Sequence, residues 1–471
     1  MTAMGDHMPG THGEEDDRTP GLAPGDELTL TIEDLAYGGR GVARLARRVI
    51  FVEGALPGER LRARVVRTRP AYAEAAVLEI LTASPDRVTP PCEHYGVCGG
   101  CDLQHLGPEA QARARRGQVM ALLARIAGIH GAPVSETVRG GEPWGYRFRM
   151  DFDWTADGPR HAPALGLHRR GRPEEIVPIR RCHLMSDGGN AIVAFLSAEA
   201  AARRLAPWEP ERRSGLLRRA AIQEARATRE ALVTLETGRG DPPALPALAR
   251  ELARRFPRVV GVVRREFDKA GRLVQESILL GRDHLFEEVG GDRFKIPAGA
   301  FFQPNAHLCE ALRSGTVEAL APQKAESILE LYCGVGFLTL AVARRAERVE
   351  AVEGSAEAVR AARENAARAG ASGVRFINRE ISAALPDLLR ERRWDAILLD
   401  PPRAGLPRGV ASAIAASGTR RLVYVSCDPA ILARDLKILL HGGAFALEEV
   451  RPYELFPQTR HVECVARLTA S

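Results

Sequence analysis

The sequence contains very little lysine and no long hydrophobic run. Only four of its 66 basic residues are lysines: Lys269, Lys295, Lys324 and Lys437. The other basic residues are arginines, whose planar guanidinium suits contacts with phosphates and stacked bases. No run of 18 apolar residues occurs, which argues against a membrane-spanning helix. Residues 1–20 lack the apolar core of a signal peptide, so we expect a cytoplasmic protein that does not contact a membrane.

Length and charge indicate a multidomain protein with an acidic partner. At 471 residues the chain is long for one domain. Its net charge of +6 and isoelectric point near 9.0 fit a nucleic acid. The patterns along the chain predict a disordered leader at residues 1–20, a small β-barrel at 21–82, an α+β middle domain at 83–295 and an α/β domain at 296–471.

The first predicted domain consists of short alternating runs from Gly25 to Leu81, separated by glycine-rich turns. This spacing is typical of a five-stranded, OB-like barrel. The arginine-dense segment Arg60–Arg69 favours a barrel that binds RNA. The alternative is a barrel that only packs on its neighbour.

Four of the eight cysteines suggest a metal centre. Cys92, Cys98 and Cys101 follow the pattern C-x5-C-x2-C, and Cys182 is the candidate fourth ligand. In a cytosolic chain such a set favours metal binding over disulfides. Zinc and a [4Fe–4S] cluster both accept four thiolates, so the spacing does not choose between them. The remaining alternative is four free, buried cysteines.

The middle domain mixes helical and alternating segments. Helices are predicted at residues 106–129 and 191–213, and strands at 145–184 and, around another helix, at 218–280. Arginines on the predicted strands could line an RNA groove or form a solvated face.

From about residue 296, predicted strands and helices alternate, which indicates a parallel, doubly wound sheet. The segment SILELYCGVGF predicts a strand and then a loop containing Gly334 and Gly336. A second predicted strand ends at Glu353, where an acid can accept the ribose hydroxyls of an adenosine cofactor. The loop lacks the third Gly or Ala of a G-x-G-x-x-G dinucleotide-binding motif. The loop therefore favours S-adenosylmethionine, a cofactor without phosphates.

Two further strand ends are expected to face the same pocket. A third predicted strand ends near Glu380, which could meet the adenine, and a fourth ends at Asp400 within DPPRAGL. Amino-methylating enzymes usually carry an aromatic residue in the matching turn, whereas this chain has Arg403.

The stretch VYVSCDPAILARDL, Val423 to Leu436, predicts a strand, a tight turn and a helix. Cys427 therefore stands at the carboxyl edge of the sheet, where open α/β sheets bind ligands. A helix start can keep such a cysteine as thiolate, so we expect a nucleophile. The alternative is a small buried apolar residue, which is our interpretation of Cys309, Cys333 and Cys464.

A carboxylate is predicted beside this cysteine. The segment FPQTRHVECVARL places Glu463 on the last strand. A thiolate and a carboxylate at neighbouring strand ends suit methylation of a pyrimidine. The thiolate adds to C6, C5 takes the methyl group, and the carboxylate removes the C5 proton.

Six motifs together resemble one known family. They are CEHYGVCGGCDLQH, FFQPN, LELYCGVGFLTL, DPPRAG, SCDPAILARDL and FPQTRHVE. They closely resemble the TRAM-domain, iron–sulphur class of RNA uracil-5 methyltransferases, which act mainly on 23S rRNA. The resemblance runs from about residue 21 to the end. It implies a TRAM barrel, a middle domain with the cysteine cluster and a C-terminal Rossmann-like class I methyltransferase domain.

The same resemblance implies roles for particular residues. Cys427 would be the nucleophile and Glu463 the proton acceptor. The cofactor-site positions would be Gln303, Tyr332, Gly334, Gly336, Glu353, Glu380 and Asp400. The ligands of a [4Fe–4S] cluster would be Cys92, Cys98, Cys101 and Cys182. Two departures are Phe337, where a polar residue is frequent, and Glu380, where Asn or Asp is common.

Three alternatives to a 23S rRNA enzyme are a tRNA uridine-5 methyltransferase, a cytosine-5 methyltransferase and a non-catalytic RNA-binding assembly factor. Cytosine enzymes usually place Pro directly before the nucleophile, whereas Ser426 precedes Cys427 here. Intact Cys427, Glu463 and glycine loop argue against a protein without activity. Because each predicted domain is self-sufficient, we expect a monomer.

Overall fold

The computed structural model describes residues 21–158, 161–240 and 242–471. The predicted leader at residues 1–20 lies outside them. The chain divides into a first unit that ends at Arg87 and a second unit, Val88–Ser471. Within the described residues, no helix has the length and apolar character needed to cross a membrane.

The first unit is a small β-barrel. Its strands are β1 (Glu27–Thr31), β2 (Asp34–Leu35), β3 (Gly41–Leu45), β4 (Arg48–Glu53), β5 (Arg60–Thr68) and β6 (Tyr72–Thr82). The sheet order is β1-β5-β6-β4-β3-β2. Strands β1 and β2 are nearly continuous, and they pair with β5 and β3 respectively. They therefore act as one bent strand that closes the sheet, which confirms the five-stranded prediction.

Alternation along β5 explains why this segment is a barrel strand. Leu61, Ala63 and Val65 are buried, while the arginines between them are exposed. Period-2 alternation places one set inside and the other in solvent. Two of the exposed arginines, Arg62 and Arg64, form ion pairs with Glu27. Part of the basic face is therefore neutralised within the barrel itself.

The second unit begins with the elements of the middle region. They are α1 (Pro108–Leu122), a π-helical turn (Leu123–Ala127), β7 (Arg149–Asp157), β8 (Ala162–Arg169), β9 (Arg172–Pro178), α2 (Asp187–Ala202), β10 (Leu217–Glu224), β11 (Ala231–Thr237), α3 (Ala244–Arg255), β12 (Val259–Phe267) and β13 (Leu273–Gly281). The strands form one sheet of order β13-β12-β11-β10-β7-β8-β9. Helix α2 ends before the predicted Arg213 because Arg204 is left-handed, with φ of 55°, and Pro207 follows.

The remaining elements form the α/β region. They are β14 (His284–Val289), β15 (Asp292–Pro297), α4 (Cys309–Leu320), β16 (Ser327–Leu331), α5 (Thr339–Ala343), β17 (Arg348–Glu353), α6 (Ala356–Arg368), β18 (Val374–Asn378), α7 (Ile381–Glu391), β19 (Ala396–Leu399), α8 (Arg408–Ala415), β20 (Arg421–Ser426), α9 (Pro429–Leu439), a 3-10 turn (His441–Gly443), β21 (Phe445–Tyr453) and β22 (Glu463–Ala470). The hairpin β14–β15 packs on α6, where the Asn365 side chain bonds both the N–H and the C=O of Lys295.

The main sheet of this region has the order β18-β17-β16-β19-β20-β22-β21. The first five strands are parallel, and β22 is antiparallel to both β20 and β21. Both faces of the sheet are buried, since neighbouring residues such as Ile328 and Leu329 belong to different core clusters. This confirms the predicted Rossmann-like α/β fold.

Candidate active site

The candidate site lies at the carboxyl edge of the parallel strands. Chain order reverses at β16, which pairs with β17 on one side and β19 on the other. Open α/β sheets bind ligands at such a switch point. The loops that follow β16 to β20 carry most of the site residues predicted from the sequence.

The loop after β16 has the backbone shape that its glycines permit. Gly334 and Gly336 have φ of 54° and 86°, and Tyr332 is also left-handed at 67°. The Gly334 N–H donates to Oε2 of Glu353 over 3.2 Å, and the Ser355 N–H donates to Oε1 over 2.7 Å. The carboxylate thus fixes the loop, and each oxygen retains a lone pair for a ribose hydroxyl.

Glu380 lies next to Glu353 at the ends of neighbouring strands. It precedes α7 and is exposed. A Cβ built on Gly354 would lie 3.0 Å from Oε1 of Glu380. The absent side chain at Gly354 therefore lets the two glutamates share one edge of the pocket.

Gln303 and Asp400 form the opposite side of this region. The buried Gln303 side chain donates from Nε2 to Oδ2 of Asp400 over 3.4 Å. Burial raises the pKa of Asp400 to about 7, although the hydrogen bond from Gln303 opposes the shift. Asp400 can therefore hold or release a proton near neutral pH.

The structure brings Cys427 and Glu463 together. Ser426 pairs with Cys464 in the antiparallel β20–β22 register, so the next position along places Cys427 opposite Glu463. Burial raises the pKa of Cys427 to about 12, and Glu463 and Asp400 contribute to the increase. Arg403 acts in the opposite direction and lowers this pKa.

The expectation that the helix dipole keeps Cys427 as thiolate is wrong for the free protein. Asp428 caps α9 instead, since its Oδ1 accepts from the N–H groups of Ala430 and Ile431 over 3.0 and 3.3 Å. The helix terminus is therefore occupied by a carboxylate, and Asp428 itself raises the pKa of Cys427.

Glu463 is only 3% exposed. Burial raises its pKa well above the usual range, and the nearby Asp400 raises it further. A carboxylate with a raised pKa is a stronger base once it is ionised. Such a group suits removal of a proton from carbon.

Sequence reasoning noted Arg403 without giving it a role, and it missed His461. The Arg403 guanidinium lies 3.2 Å from the His461 ring nitrogen Nε2. Burial lowers the pKa of His461 to about 3, and Arg403 contributes, so the imidazole is neutral at neutral pH. Both residues stand inside recognised motifs, DPPRAG and FPQTRHVE. The motifs were a signal, but they did not reveal that the two side chains meet.

Two phenylalanines near the site differ in their surroundings. Phe301, two residues before Gln303, is 68% exposed. Phe337 is buried, and its ring packs against Phe294 and Phe302 at centroid distances of 5.8 and 5.3 Å. Phe337 thus belongs to the core, while Phe301 presents its ring to solvent.

Cys92, Cys98, Cys101 and Cys182, which we call the cysteine clip, line one cavity of about 580 Å³. Burial raises the pKa of Cys101 to about 12 and of Cys182 to about 11, and Cys92 and Cys98 raise both further. The structure therefore brings distant Cys182 to the three clustered residues. In the part of the chain that the structure describes, no group of three or more His, Cys, Asp or Glu side chains is arranged to hold a metal ion.

Comparisons with known proteins agree with this architecture. The family model described as tRNA (uracil-5-)-methyltransferase matches residues 264–471, and the TRAM domain model matches residues 22–78. An uncharacterized RNA methyltransferase of Halalkalibacterium halodurans is 32% identical over 447 residues, which cover 94% of this chain and 97% of the relative. An uncharacterized RNA methyltransferase of Gloeobacter violaceus is 34% identical over 454 residues, which cover 96% of this chain and 98% of the relative.

A solved structure supports the same fold. The Pyrococcus abyssi tRNA (uracil-54, C5)-methyltransferase, in complex with S-adenosyl-L-homocysteine, superposes with a TM-score of 0.70. The match covers 94% of this chain and 99% of that chain at 24% identity. From the two matching domains and the full-length relatives, the chain belongs to the TRAM-domain family of S-adenosylmethionine-dependent RNA uracil-5 methyltransferases.

Proposed function

We propose that this protein methylates C5 of a specific uridine in cytoplasmic 23S rRNA through a covalent adduct on Cys427. The observation that carries the proposal is the juxtaposition of Cys427 and Glu463 at the edge of the sheet that also holds the glycine loop. C5 of uracil is a poor nucleophile, so the reaction needs a group that adds to C6 and another that removes the C5 proton.

The proposed reaction balances with these two residues. Cys427 adds as thiolate to C6, which places electron density on C5. S-adenosylmethionine then supplies the methyl group to C5. Glu463 takes the C5 proton, and the electrons of the broken C–H bond re-form the C5–C6 double bond as the thiolate leaves. The net products are methylated RNA, S-adenosylhomocysteine and one proton, which Glu463 passes to solvent.

The remaining site residues would position the methyl donor. Glu353 retains lone pairs for the ribose hydroxyls, and the neighbouring Glu380 can accept from the adenine amino group. Gln303, Tyr332 and Asp400 complete the pocket around the glycine loop, where a Cβ on Gly334 would meet only open space. Arg403 is the cation that favours the thiolate, and its guanidinium contacts neutral His461.

We propose that Cys92, Cys98, Cys101 and Cys182 hold a [4Fe–4S] cluster, as the resemblance of CEHYGVCGGCDLQH to the iron–sulphur class implies. The four cysteines line one cavity and supply the four thiolates that such a cluster needs. Bound there, a cluster would cross-link Cys182 to the three clustered cysteines. Methyl transfer needs no electrons, so we assign it a structural role.

Arginine-lined surfaces support an RNA partner. A second cavity of about 400 Å³ is lined by four arginines: Arg147, Arg226, Arg229 and Arg258. Among the described residues, Arg147 and Arg229 form no ion pair with a carboxylate, which leaves them available to phosphates. The exposed ring of Phe301 can stack on a splayed base. Because C5 and C6 are stacked inside a helix, the target uridine must be flipped out, at a cost of roughly a few kcal/mol.

A second candidate substrate is tRNA. The matching family model describes tRNA (uracil-5-)-methyltransferases, and the Pyrococcus abyssi enzyme is a tRNA (uracil-54, C5)-methyltransferase. The cysteine clip favours 23S rRNA, because the class that the clip resembles acts mainly on that RNA. Since each proposed site is built within one chain, we also propose a monomer.

The test is methyl transfer from labelled S-adenosylmethionine to undermodified 23S rRNA and undermodified tRNA, assayed side by side with anaerobically purified protein. We expect label in one 23S uridine, recovered as 5-methyluridine. Label in tRNA alone would contradict the ribosomal assignment. Label in neither RNA would contradict the proposed function.

A further inference from the structure

The cysteine clip and the loop before Glu463 are directly hydrogen-bonded. We define the cysteine loop as residues 98–105 and the β21–β22 loop as residues 454–462. The N–H groups of Asp102 and Leu103 both donate to the carbonyl of Gln458 over 2.9 Å. In return, the Arg460 N–H donates to Oδ2 of Asp102 over 3.0 Å. Three hydrogen bonds therefore join two segments that lie more than 350 positions apart in sequence.

A buried glutamine reinforces this junction. The Gln111 side chain donates from Nε2 to Oε1 of Gln458 over 2.9 Å and accepts from the Gln458 N–H over 3.0 Å. The same Nε2 also donates to the carbonyl of Leu103 over 3.1 Å. Gln458 is buried and left-handed, with φ of 71°. A residue held in this sparsely populated conformation needs such surroundings to stay there.

The base of the β21–β22 loop is held separately. Arg115 is fully buried and pairs with Glu454 over 2.5 Å. It also donates to the carbonyls of Phe456 and Thr459 over 3.2 and 3.3 Å. Loss of the Asp102 side chain would therefore leave the loop attached through Arg115 and through the backbone bonds to Gln458, but the Arg460 N–H would lose its acceptor.

Asp102 occupies a particular place in this arrangement. It directly follows the proposed cluster ligand Cys101, and its Oδ1 pairs with Arg170 over 3.2 Å. Its other oxygen holds Arg460, which precedes Glu463 by three positions. The carboxylate thus connects the anchored cysteine loop to the backbone that leads into the proposed proton acceptor.

We infer that Asp102 is a positioning residue for Glu463, through which the ordered cysteine loop sets the geometry of proton removal. This inference rests on the proposed function of Glu463. A base displaced by about 1 Å loses on the order of 100-fold in rate. Asp102→Ala should therefore lower kcat on that order, while binding of S-adenosylhomocysteine and RNA stays unchanged.

The expected loss has a signature that a general folding defect would not produce. Proton removal follows methyl transfer, so Asp102→Ala should accumulate a denaturant-stable RNA–protein adduct. Asp102→Asn keeps an oxygen that can accept from Arg460 and should recover most of the turnover. The matched control is Asp151→Ala, which removes the same charge from the same cavity but pairs with Arg149 rather than with the β21–β22 loop. It should behave as wild type.

Hydrogen exchange tests the connection without turnover. In the holoprotein, peptides covering residues 454–462 should exchange faster in Asp102→Ala than in wild type or Asp151→Ala, with iron and sulphide content unchanged. Unchanged exchange in Asp102→Ala would overturn the inference. So would faster exchange with normal kcat and no adduct. If the wild-type protein methylates no RNA, the proposed function fails, and the exchange result still decides whether Asp102 holds this loop.

Discussion

Cys333 and Cys427 stand at equivalent places in the same sheet, yet they have different surroundings. Each follows a buried parallel strand, β16 or β20, and precedes a helix. Cys333 is 5% exposed. Burial raises its pKa well above the usual range, and the nearby Glu330 and Glu353 make smaller contributions in the same direction. Cys427 is partly exposed, with a pKa of about 12. The strand-end position alone therefore does not distinguish a nucleophile from an inert thiol.

The difference between the two cysteines arises from their neighbours. Strand β22 runs beside Cys427 and brings Glu463 to it, and the loop after β19 adds the cation Arg403. Cys333 has a comparable acid, Glu330, whose pKa burial raises to about 8, but no cation is among the groups that shift its own pKa. A reactive site thus needs access, a base and a positive charge together.

The largest expected effect comes from removing each thiol in turn. Cys427→Ala should abolish methylation while binding of RNA and S-adenosylmethionine remains, because no other group can add to C6. Cys333→Ala should keep its turnover and lose about 1 kcal/mol of stability from the small cavity that it leaves. Methyl transfer and thermal melting of both variants provide the measurement. Near-normal turnover in Cys427→Ala would contradict the covalent mechanism.

The second expected effect compares the two buried acids. Glu463→Gln should lower kcat by roughly 100-fold to 10,000-fold, the usual contribution of a general base, and should accumulate a methylated RNA adduct. Glu330→Gln should change little, because Glu330 lies within β16 and not opposite Cys427, and glutamine has nearly the same shape as glutamic acid. Gel electrophoresis under denaturing conditions detects the adduct. An adduct-free Glu463→Gln enzyme with low turnover would assign proton removal to another group.

The smallest expected effect concerns Arg403. This residue lowers the pKa of Cys427, so Arg403→Gln should raise that pKa. Below the pKa, the thiolate fraction rises tenfold for each pH unit, so an increase of one unit would slow the reaction about tenfold at any given pH. The rate at which iodoacetamide labels Cys427, measured from neutral to alkaline pH, should rise at higher pH in Arg403→Gln than in wild type. Buried Cys333 should stay unlabelled. If the pH dependence of Cys427 labelling is the same in both proteins, Arg403 does not lower the pKa of Cys427.

Local sequence patterns predicted the elements that carry the site. The apolar run and the Asp-Pro start of α9 specify a strand, a turn and a helix around Cys427, and period-2 alternation specifies the barrel strands. The glycines predicted a loop after β16, and in the structure Gly334 and Gly336 have left-handed backbone conformations. Each of these features depends on residues that are close in sequence, so local patterns are enough to predict it.

Features that depend on distant residues could not be predicted in this way. The pKa of Cys427 depends on burial and on Glu463 and Asp400, while Asp428 takes the helix terminus that was expected to favour the thiolate. The contact between Asp102 and Arg460 joins segments with no shared pattern. Such contacts depend on tertiary packing, which composition and periodicity do not predict.

The most direct test of the central claim uses RNA in which 5-fluorouridine replaces uridine. Fluorine at C5 leaves no proton for Glu463 to remove, so the thiolate cannot leave after methyl transfer. With S-adenosylmethionine, the wild-type protein should form a denaturant-stable complex. Mass spectrometry of its digest should place the methylated nucleotide on the peptide that contains Cys427. Attachment to Cys333 or another cysteine, or methylation of ordinary RNA with no trapped adduct, would contradict the account.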